Sequence, residues 1–213
     1  MTVHSLNPED SQQHKSTSQP ATFVSRGGIK LAAALDAFNL DVSNFFCADL
    51  GCNVGGFTDC LLQRNAEQVI AVDTGYGALA WKLRQDPRVI VAERTNALHC
   101  EPTELGASAT DLVTIDLAWT KQSHAIPAAM RWNPRFIISL VKPHYEAPRE
   151  TMQQRKGGIL DADDAESIFK EVLAAFPTLG VTPVKHILSP IKGGAGKKRK
   201  GNAEYLVLLE PTG

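Results

Sequence analysis

Seven short segments, most of them continuously apolar rather than alternating with polar residues, most constrain how this chain folds. They cover residues 45–50, 68–73, 89–93, 111–116, 135–142, 181–188 and 204–209. Runs of this kind are typical of strands that are buried on both faces of a parallel sheet. Helical spacing or composition marks residues 29–38, 58–63, 78–84 and 162–176 between them. The sequence therefore predicts an α/β fold, with a mostly parallel seven-stranded sheet and helices on both faces.

The last two predicted strands differ from the others because no helix separates them. Only a short, glycine-rich and basic segment joins them. Strands that are connected without a crossover helix pair in the antiparallel sense. We therefore expect an antiparallel C-terminal hairpin at one edge of the sheet.

Length and composition indicate a single hydrophobic core. The chain has 213 residues and is 43% hydrophobic, which suits one domain better than two. We expect this domain to cover residues 21–213, after a flexible, polar tail at residues 1–20. The four cysteines contain no CxxC pair, which favours reduced thiols, no metal site and a cytoplasmic location. No apolar run approaches the roughly 20 residues that span a bilayer, so no membrane partner is expected.

Charged side chains follow five of the predicted strands at the point where each strand ends. They are Asp49, Asp73, Glu93, Asp116 and Lys142. Ligands of open parallel sheets bind beyond the carboxyl ends of the strands. The sequence therefore predicts a binding site at this edge of the sheet.

The loop after the first strand has the glycine pattern of a cofactor-binding turn. Gly51, Gly55 and Gly56 allow tight turning and a close approach of the backbone to a ligand. The spacing is GxxxGG, which differs from the GxGxxG of dinucleotide folds, and no Walker lysine follows. Asp73 lies at the end of the next strand, where a carboxylate can accept both hydroxyls of a ribose. These residues indicate a cofactor that contains a nucleoside and no triphosphate.

Six segments, taken in order, resemble the FtsJ-like ribose 2′-O-methyltransferases, in particular the TlyA (haemolysin A-like) branch. They are residues 23–31 (FVSRGGIKL), 49–59 (DLGCNVGGFTD), 72–81 (VDTGYGALAW), 88–96 (RVIVAERTN), 141–146 (VKPHYE) and 201–206 (GNAEYL). The resemblance extends over residues 23–209. It implies a Rossmann-like methyltransferase fold and S-adenosylmethionine as the cofactor.

The resemblance also implies which residues bind that cofactor. Gly55 and Phe57 contact it, Asp73 holds its ribose, Asn96 lies near its adenine and Asp116 lies near its methyl group. Either Glu93 or Thr95 remains an alternative for the adenine contact. The full set of cofactor-binding residues that we expect is Asp49, Gly51, Gly55, Gly56, Phe57, Asp73, Asn96 and Asp116.

By the same resemblance, four scattered residues form a catalytic tetrad: Lys30, Asp116, Lys142 and Glu204. Methylation of a hydroxyl requires that its proton be removed, and a lysine that has lost its own proton can accept it. We expect Lys142 to be this base, while Lys30 and Glu204 tune and orient it. Taken singly, each of the four could equally be an ordinary surface charge.

RNA, most plausibly ribosomal RNA, is the partner that the resemblance implies. Arg26 and the basic run Lys197, Lys198, Arg199 and Lys200 are the expected phosphate contacts. Members of the TlyA branch usually carry an N-terminal S4-type RNA-binding module, and we expect this chain to lack it because only about 22 residues precede the resemblance. Two alternatives stay open: a non-catalytic RNA-binding or assembly factor on the same fold, and a methyltransferase with a non-RNA acceptor.

Overall fold

A computed structural model describes residues 22–153, 155–194 and 201–212. The predicted tail at residues 1–20 lies outside this part of the chain. Seven strands form one sheet in the order β3-β2-β1-β4-β5-β7-β6. Their bounds are β1 Phe46–Leu50, β2 Gln68–Val72, β3 Val89–Ala92, β4 Thr110–Ile115, β5 Pro134–Val141, β6 Val181–Leu188 and β7 Tyr205–Pro211.

The direction of the strands confirms the predicted mixed sheet. Strands β1 to β5 pair with one another in parallel, and β7 pairs antiparallel with both β5 and β6. The C-terminal hairpin therefore lies at one edge, as predicted, with β6 as the outermost strand. The second strand of the hairpin is the one inserted next to β5. This insertion brings the start of β7 close to the carboxyl end of β5, because Tyr205 pairs with Val141.

Seven α-helices flank the sheet in the described residues. They are α1 Gly27–Phe38, α2 Gly56–Gln63, α3 Trp81–Arg84, α4 Gln122–Met130, α5 Pro143–Glu146, α6 Arg149–Gln153 and α7 Ala162–Ala175. Short 3-10 turns occur at Pro102–Leu105, Lys156–Gly158 and Phe176–Leu179. None of the described helices is long and apolar enough to cross a membrane.

Helices cover both faces of the sheet, so the central strands β1, β2, β4 and β5 are apolar on both sides, whereas the edge strand β6 is largely exposed. On one face, Leu31 of α1 and Leu61 of α2 pack in the same core cluster as Leu112 of β4. On the other face, Ile126 of α4 and Phe169 of α7 pack with the next residues of the strands, such as Val113 of β4. This two-sided burial explains why the strand sequences are continuous runs rather than alternating ones.

The helices differ from the sequence prediction in two respects. The predicted helix at residues 78–84 is wrong in its first half: Ala80 has an extended backbone (φ −56°, ψ 138°), and α3 covers only Trp81–Arg84. Leu79 is buried in this turn, so its apolar side chain produced a helical pattern where the chain is irregular. Helices α4, α5 and α6 were not predicted, and α4 contains Pro127, a residue that usually indicates a break.

Candidate active site

The carboxyl ends of β1, β2, β4 and β5 meet at one edge of the sheet, where the chain continues directly into the candidate site. Hydrogen bonds of the ladder extend past the strands: Gly51 N donates to Val72 O at 2.9 Å, and Asp116 N donates to Leu50 O at 3.0 Å. The loops that follow the strands are therefore fixed to the sheet. Lys142 is placed in the same way, directly after β5 and before the proline that begins α5.

Glycines in the loop after β1 are required by close packing within the protein. Gly51 and Gly55 have positive φ angles of 90° and 98°, which glycine adopts without strain. A Cβ at Gly51 would lie 2.8 Å from Asp116 O, and one at Gly55 would lie 2.7 Å from the side chain of Leu79. A Cβ at Gly56 would lie 2.8 Å from Gly28 N at the start of α1. The tight turn is confirmed, and the close approach that these glycines allow is between segments of the chain itself.

The side chain of Asp49 anchors this loop from within the core. Its side chain is fully buried, and its carboxylate accepts hydrogen bonds from the amide of Thr58 at 3.0 Å, from the hydroxyl of Thr58 at 2.7 Å and from the hydroxyl of Thr114 at 3.0 Å. Burial raises the pKa of Asp49 to about 6, although these hydrogen bonds act in the opposite direction. Asp49 therefore supports the loop after β1 through its contacts with α2 and β4.

Asp73 links the loops that follow β1 and β2. Its two carboxylate oxygens accept hydrogen bonds from Asn53 N at 2.9 Å and from Gly75 N at 2.7 Å. A carboxylate has about four acceptor positions, so Asp73 retains capacity for the two hydroxyls of a ribose. Asn96 lies on the surface beyond β3, where its side-chain oxygen accepts a hydrogen bond from Leu98 N at 2.9 Å.

Lys30 and Glu204 form the first of two ion pairs in which the lysine is buried. Lys30 lies on α1 and Glu204 directly precedes β7, yet Lys30 Nζ is 2.5 Å from Glu204 Oε2. The two residues are 9% and 3% exposed. A lysine on an amphipathic helix is usually solvated, and this one is not. The packing of α1 beside β7 therefore brings together two charges that are 174 residues apart in the sequence.

Lys142 and Asp116 form the second pair. Lys142 Nζ is 2.6 Å from Asp116 Oδ1 and donates a hydrogen bond to the carbonyl of Leu117 at 3.0 Å. Lys142 is 9% exposed, whereas the side chain of Asp116 is 26% exposed. The structure therefore pairs the four tetrad residues as Lys30 with Glu204 and Lys142 with Asp116.

Three aromatic residues lie beside the two pairs. The Tyr145 ring is 5.4 Å from Lys142 Nζ, 4.8 Å from the Trp119 ring and 4.2 Å from the His144 ring. Burial, and then the charges of Lys142 and Lys30, lower the pKa of His144 to about 4.

The charges of both pairs act on Tyr145 and His144. Burial, and then the carboxylates of Glu204 and Asp116, raise the pKa of Tyr145. The pKa values of Tyr145 and His144 therefore depend on both pairs, whose four members come from distant parts of the sequence. Trp119, which is 86% exposed, packs against Tyr145 with its ring tilted by 31° and reaches solvent.

A pocket of about 220 Å³ connects the glycine loop with the ion pairs. Gly51, Gly56, Phe57, Lys30 and Asp116 are among the predicted site residues that line it. Arg26 also lines it and is exposed. The predicted basic contacts Lys197, Lys198, Arg199 and Lys200 lie outside the described residues.

Sequence reasoning missed two groups of pocket residues. Ser25 and Asn53 stand next to recognised motif residues, and Lys192 and Gly193 belong to the connection between β6 and β7. The glycines of that connection were the one available signal. In the part of the chain that the structure describes, no group of three His, Cys, Asp or Glu side chains is arranged to bind a metal ion.

Comparison with known proteins assigns the chain to a family. The model of the family described as FtsJ-like methyltransferase matches residues 23–210. The chain belongs to the FtsJ-like methyltransferase family. This confirms the resemblance seen in the sequence, and it makes the protein an S-adenosylmethionine-dependent methyltransferase.

Individual relatives agree with the FtsJ-like assignment. The chain is 39% identical over 198 residues to the 16S/23S rRNA (cytidine-2′-O)-methyltransferase TlyA of Mycobacterium tuberculosis (strain H37Rv), a match that covers 91% of this chain and 70% of that protein. It is 35% identical over 191 residues to Hemolysin A of Brachyspira hyodysenteriae, covering 88% and 77%. A solved structure from Streptococcus thermophilus that carries a hemolysin name has a TM-score of 0.82 at 36% identity, covering 91% and 69%.

The residues around the pocket fit the cofactor of this family. Gly51, Gly56 and Phe57 line the pocket together with Asp116, whose carboxylate would suit the positive sulfonium group. Asp73 lies at the end of the neighbouring strand, with acceptor positions left for a ribose. When bound, S-adenosylmethionine supplies an electrophilic methyl group.

Proposed function

We propose that this protein methylates a ribose 2′-hydroxyl of RNA, and that its substrate is ribosomal RNA in the cytoplasm. The observation that carries the proposal is the arrangement of two lysine–carboxylate pairs, each with a buried lysine, beside the pocket. The names of the relatives, among them an rRNA 2′-O-methyltransferase, support the same acceptor. The task that remains for the protein is to hold the hydroxyl in line and to accept its proton.

Lys142 is the residue that we propose as the base. A neutral lysine amine has two N–H groups and one lone pair. Asp116 Oδ1 lies 2.6 Å from Lys142 Nζ, and the carbonyl of Leu117 accepts a hydrogen bond from it. If these two contacts take both N–H groups, the lone pair points to the remaining tetrahedral position and can accept the proton of a hydroxyl.

Lys30 and Glu204 have a different proposed role. Their pair is more enclosed, with Glu204 only 3% exposed. A carboxylate covered in this way cannot exchange protons with a substrate unless it moves. We assign this pair to orienting the acceptor ribose beside Lys142, with Lys30 as the member that lines the pocket.

Binding of the RNA backbone is assigned to Arg26, Lys192 and the basic run at residues 197–200. Arg26 and Lys192 are exposed where they line the pocket, and the run at residues 197–200 belongs to the same connection as Lys192. Replacing the four residues 197–200 with serine should weaken RNA binding and reduce its dependence on salt, because fewer counterions are released. Lys170→Ser on α7 is a matched control, since Lys170 pairs with Glu166 on the surface. Unchanged affinity and salt dependence would refute this assignment.

The test of the proposed function is transfer of labelled methyl groups to ribosomal RNA. Ribosomal subunits from cells that lack the protein are incubated with it and with labelled S-adenosylmethionine, and the RNA is digested to nucleosides. We expect the label in 2′-O-methylated nucleosides at a defined position. Label confined to methylated bases, to protein or to small molecules would contradict the proposal.

A further inference from the structure

The connection between β6 and β7 reaches the Lys30–Glu204 pair directly. Two of its described parts, residues 189–194 and 201–204, are joined by a bridge in which Gly193 and Asn202 exchange backbone hydrogen bonds of 2.9 and 3.0 Å. Nearer the sheet, Ser189 N donates to the carbonyl of Glu204 at 2.8 Å. These two parts, which we call the arms of the connection, therefore continue the β6–β7 pairing as far as Glu204 and beyond it.

Gly193 lies against the side chain of Glu204. A Cβ at Gly193 would overlap Oε1 of that carboxylate and lie 2.5 Å from its Cδ. Gly193 is not among the glycines with positive φ, so its backbone conformation suits other residues. The need for glycine here is steric. The Glu204 carboxylate is confined between Lys30 Nζ and the backbone of Gly193.

Asn202 ties this arrangement to a third segment. Its side-chain oxygen accepts a hydrogen bond from Leu160 N at 2.9 Å, and its side-chain nitrogen donates one to Gly158 O at 3.0 Å. Its backbone meanwhile holds Gly193 on the other side. One asparagine thus fixes the turn before α7 to the arm that covers Glu204.

We propose that Asn202 is a positioning residue of the active site. It joins residues 158–160 to the Gly193 arm, which holds Gly193 against the Glu204 carboxylate and keeps that carboxylate on Lys30. The inference rests on the proposed function, because it assigns a role within the same site. The inference goes beyond the proposed function because it makes the geometry of the tetrad depend on Gly193 and Asn202, which are not members of the tetrad.

The first test uses Gly193→Ala in a double-mutant cycle with Glu204→Asp. The alanine methyl group should displace the carboxylate and lower the single-turnover rate of methyl transfer by about 10²-fold, as expected for a misplacement of about 1 Å. Aspartate is shorter by one methylene and leaves room for the methyl group. The double variant should therefore be no slower than Glu204→Asp alone. Losses that multiply would show that Gly193 does not act through Glu204 and would overturn the proposal.

The second test compares Asn202→Ala with Asp161→Ala. The control removes the N-cap of α7, where Asp161 accepts a hydrogen bond from Asp164 N at 2.9 Å, next to the same turn. Both variants should lose similar thermal stability, but only Asn202→Ala should lower kcat, by at least about 10-fold on the same misplacement argument. The KM for RNA and the affinity for S-adenosylmethionine should stay unchanged. Asn202→Asp, which retains an acceptor for Leu160 N, should recover part of the rate.

Two outcomes separate this inference from the proposed function. If the wild-type protein transfers no methyl group to RNA, the proposed function fails. In that case the coupling between Gly193 and Glu204 can still be measured from melting temperatures, using the wild type, the two single variants and the double variant. Additive shifts in those temperatures, or an Asn202→Ala enzyme with the kcat of the Asp161→Ala control, would refute the positioning role.

Discussion

The two lysine–carboxylate pairs are nearly identical in length and differ in enclosure. The Nζ–O distances are 2.5 Å for Lys30–Glu204 and 2.6 Å for Lys142–Asp116. The lysine side chains are almost equally buried, at 11% and 10% exposed, whereas the carboxylates are 4% and 26% exposed. The carboxylate of Glu204 is covered by the backbone of Gly193, and that of Asp116 lines the pocket.

This difference suggests a division of labour. An enclosed pair keeps a fixed geometry, because moving either charge leaves the other buried without a partner. A pair that opens to the pocket can rearrange its hydrogen bonds when a substrate arrives. We therefore assign orientation to Lys30–Glu204 and proton transfer to Lys142–Asp116, and each prediction below tests that contrast.

The largest expected effect is a loss of catalytic rate when the Lys142–Asp116 pair is broken. Lys142→Ala should lower the rate of methyl transfer by about 10²–10⁴-fold, the usual contribution of a general base. Lys142→Arg should not restore it, since a guanidinium stays protonated. Single-turnover kinetics measure the rate, and calorimetry should show unchanged affinity for S-adenosylmethionine. A Lys142→Ala enzyme of near wild-type rate would reverse the assignment.

Stability should be affected most by breaking the enclosed pair. Lys30→Met leaves Glu204 charged and buried, which should lower the free energy of unfolding by about 3–5 kcal/mol. The double variant Lys30→Met/Glu204→Leu should recover much of this loss. Lys142→Met should lower the free energy of unfolding by less than Lys30→Met does, because Asp116 keeps contact with solvent. Urea unfolding of the three variants checks the order, and equal losses for both lysines would remove the contrast between the pairs.

Asp49 extends the comparison to a buried carboxylate that is held by threonine groups instead of a lysine. Burial raises its pKa from 3.8 to about 6, so the folded protein retains this proton at a pH where the unfolded chain has lost it. The stabilising contribution is complete below pH 3.8 and is lost as the pH rises through about 6. The shift corresponds to about 3 kcal/mol.

Asp49→Asn tests this smaller, pH-dependent effect. Asparagine cannot ionise, and its amide can still bond to Thr58 and Thr114. The free energy of unfolding of the variant, relative to wild type, should therefore increase by up to about 3 kcal/mol as the pH rises from 4 to 7. Urea unfolding at several pH values measures both proteins. Parallel curves would show that Asp49 does not titrate in this range.

Much of the fold follows from local signals in the sequence. A continuous apolar run with a charge at its end marks a buried parallel strand, and the bounds of β1 (Phe46–Leu50) and β2 (Gln68–Val72) match the prediction closely. The turn after β1 follows from its glycines, since φ angles such as that of Gly55 favour this residue. These features depend on neighbours in the chain, so pattern and spacing suffice to predict them.

The covering of the ion pairs depends instead on contacts between distant segments. Nothing near Gly193 indicates that it lies against Glu204, and nothing near Asn202 indicates its bonds to Gly158 and Leu160. The side-chain partners of Lys30 and Lys142 likewise became clear only in the structure. The resemblance named the four tetrad residues, but which carboxylate is enclosed follows from how β7 is inserted beside β5.

The most direct test of the central claim is methyl transfer to an RNA with a single atom removed. Once the methylated nucleotide has been mapped, the same RNA is prepared with a 2′-deoxyribose at that position alone. We predict that the protein binds both RNAs with similar affinity and transfers no methyl group to the deoxy form. Undiminished transfer to the deoxy RNA would show that the acceptor is not the 2′-hydroxyl and would contradict the account.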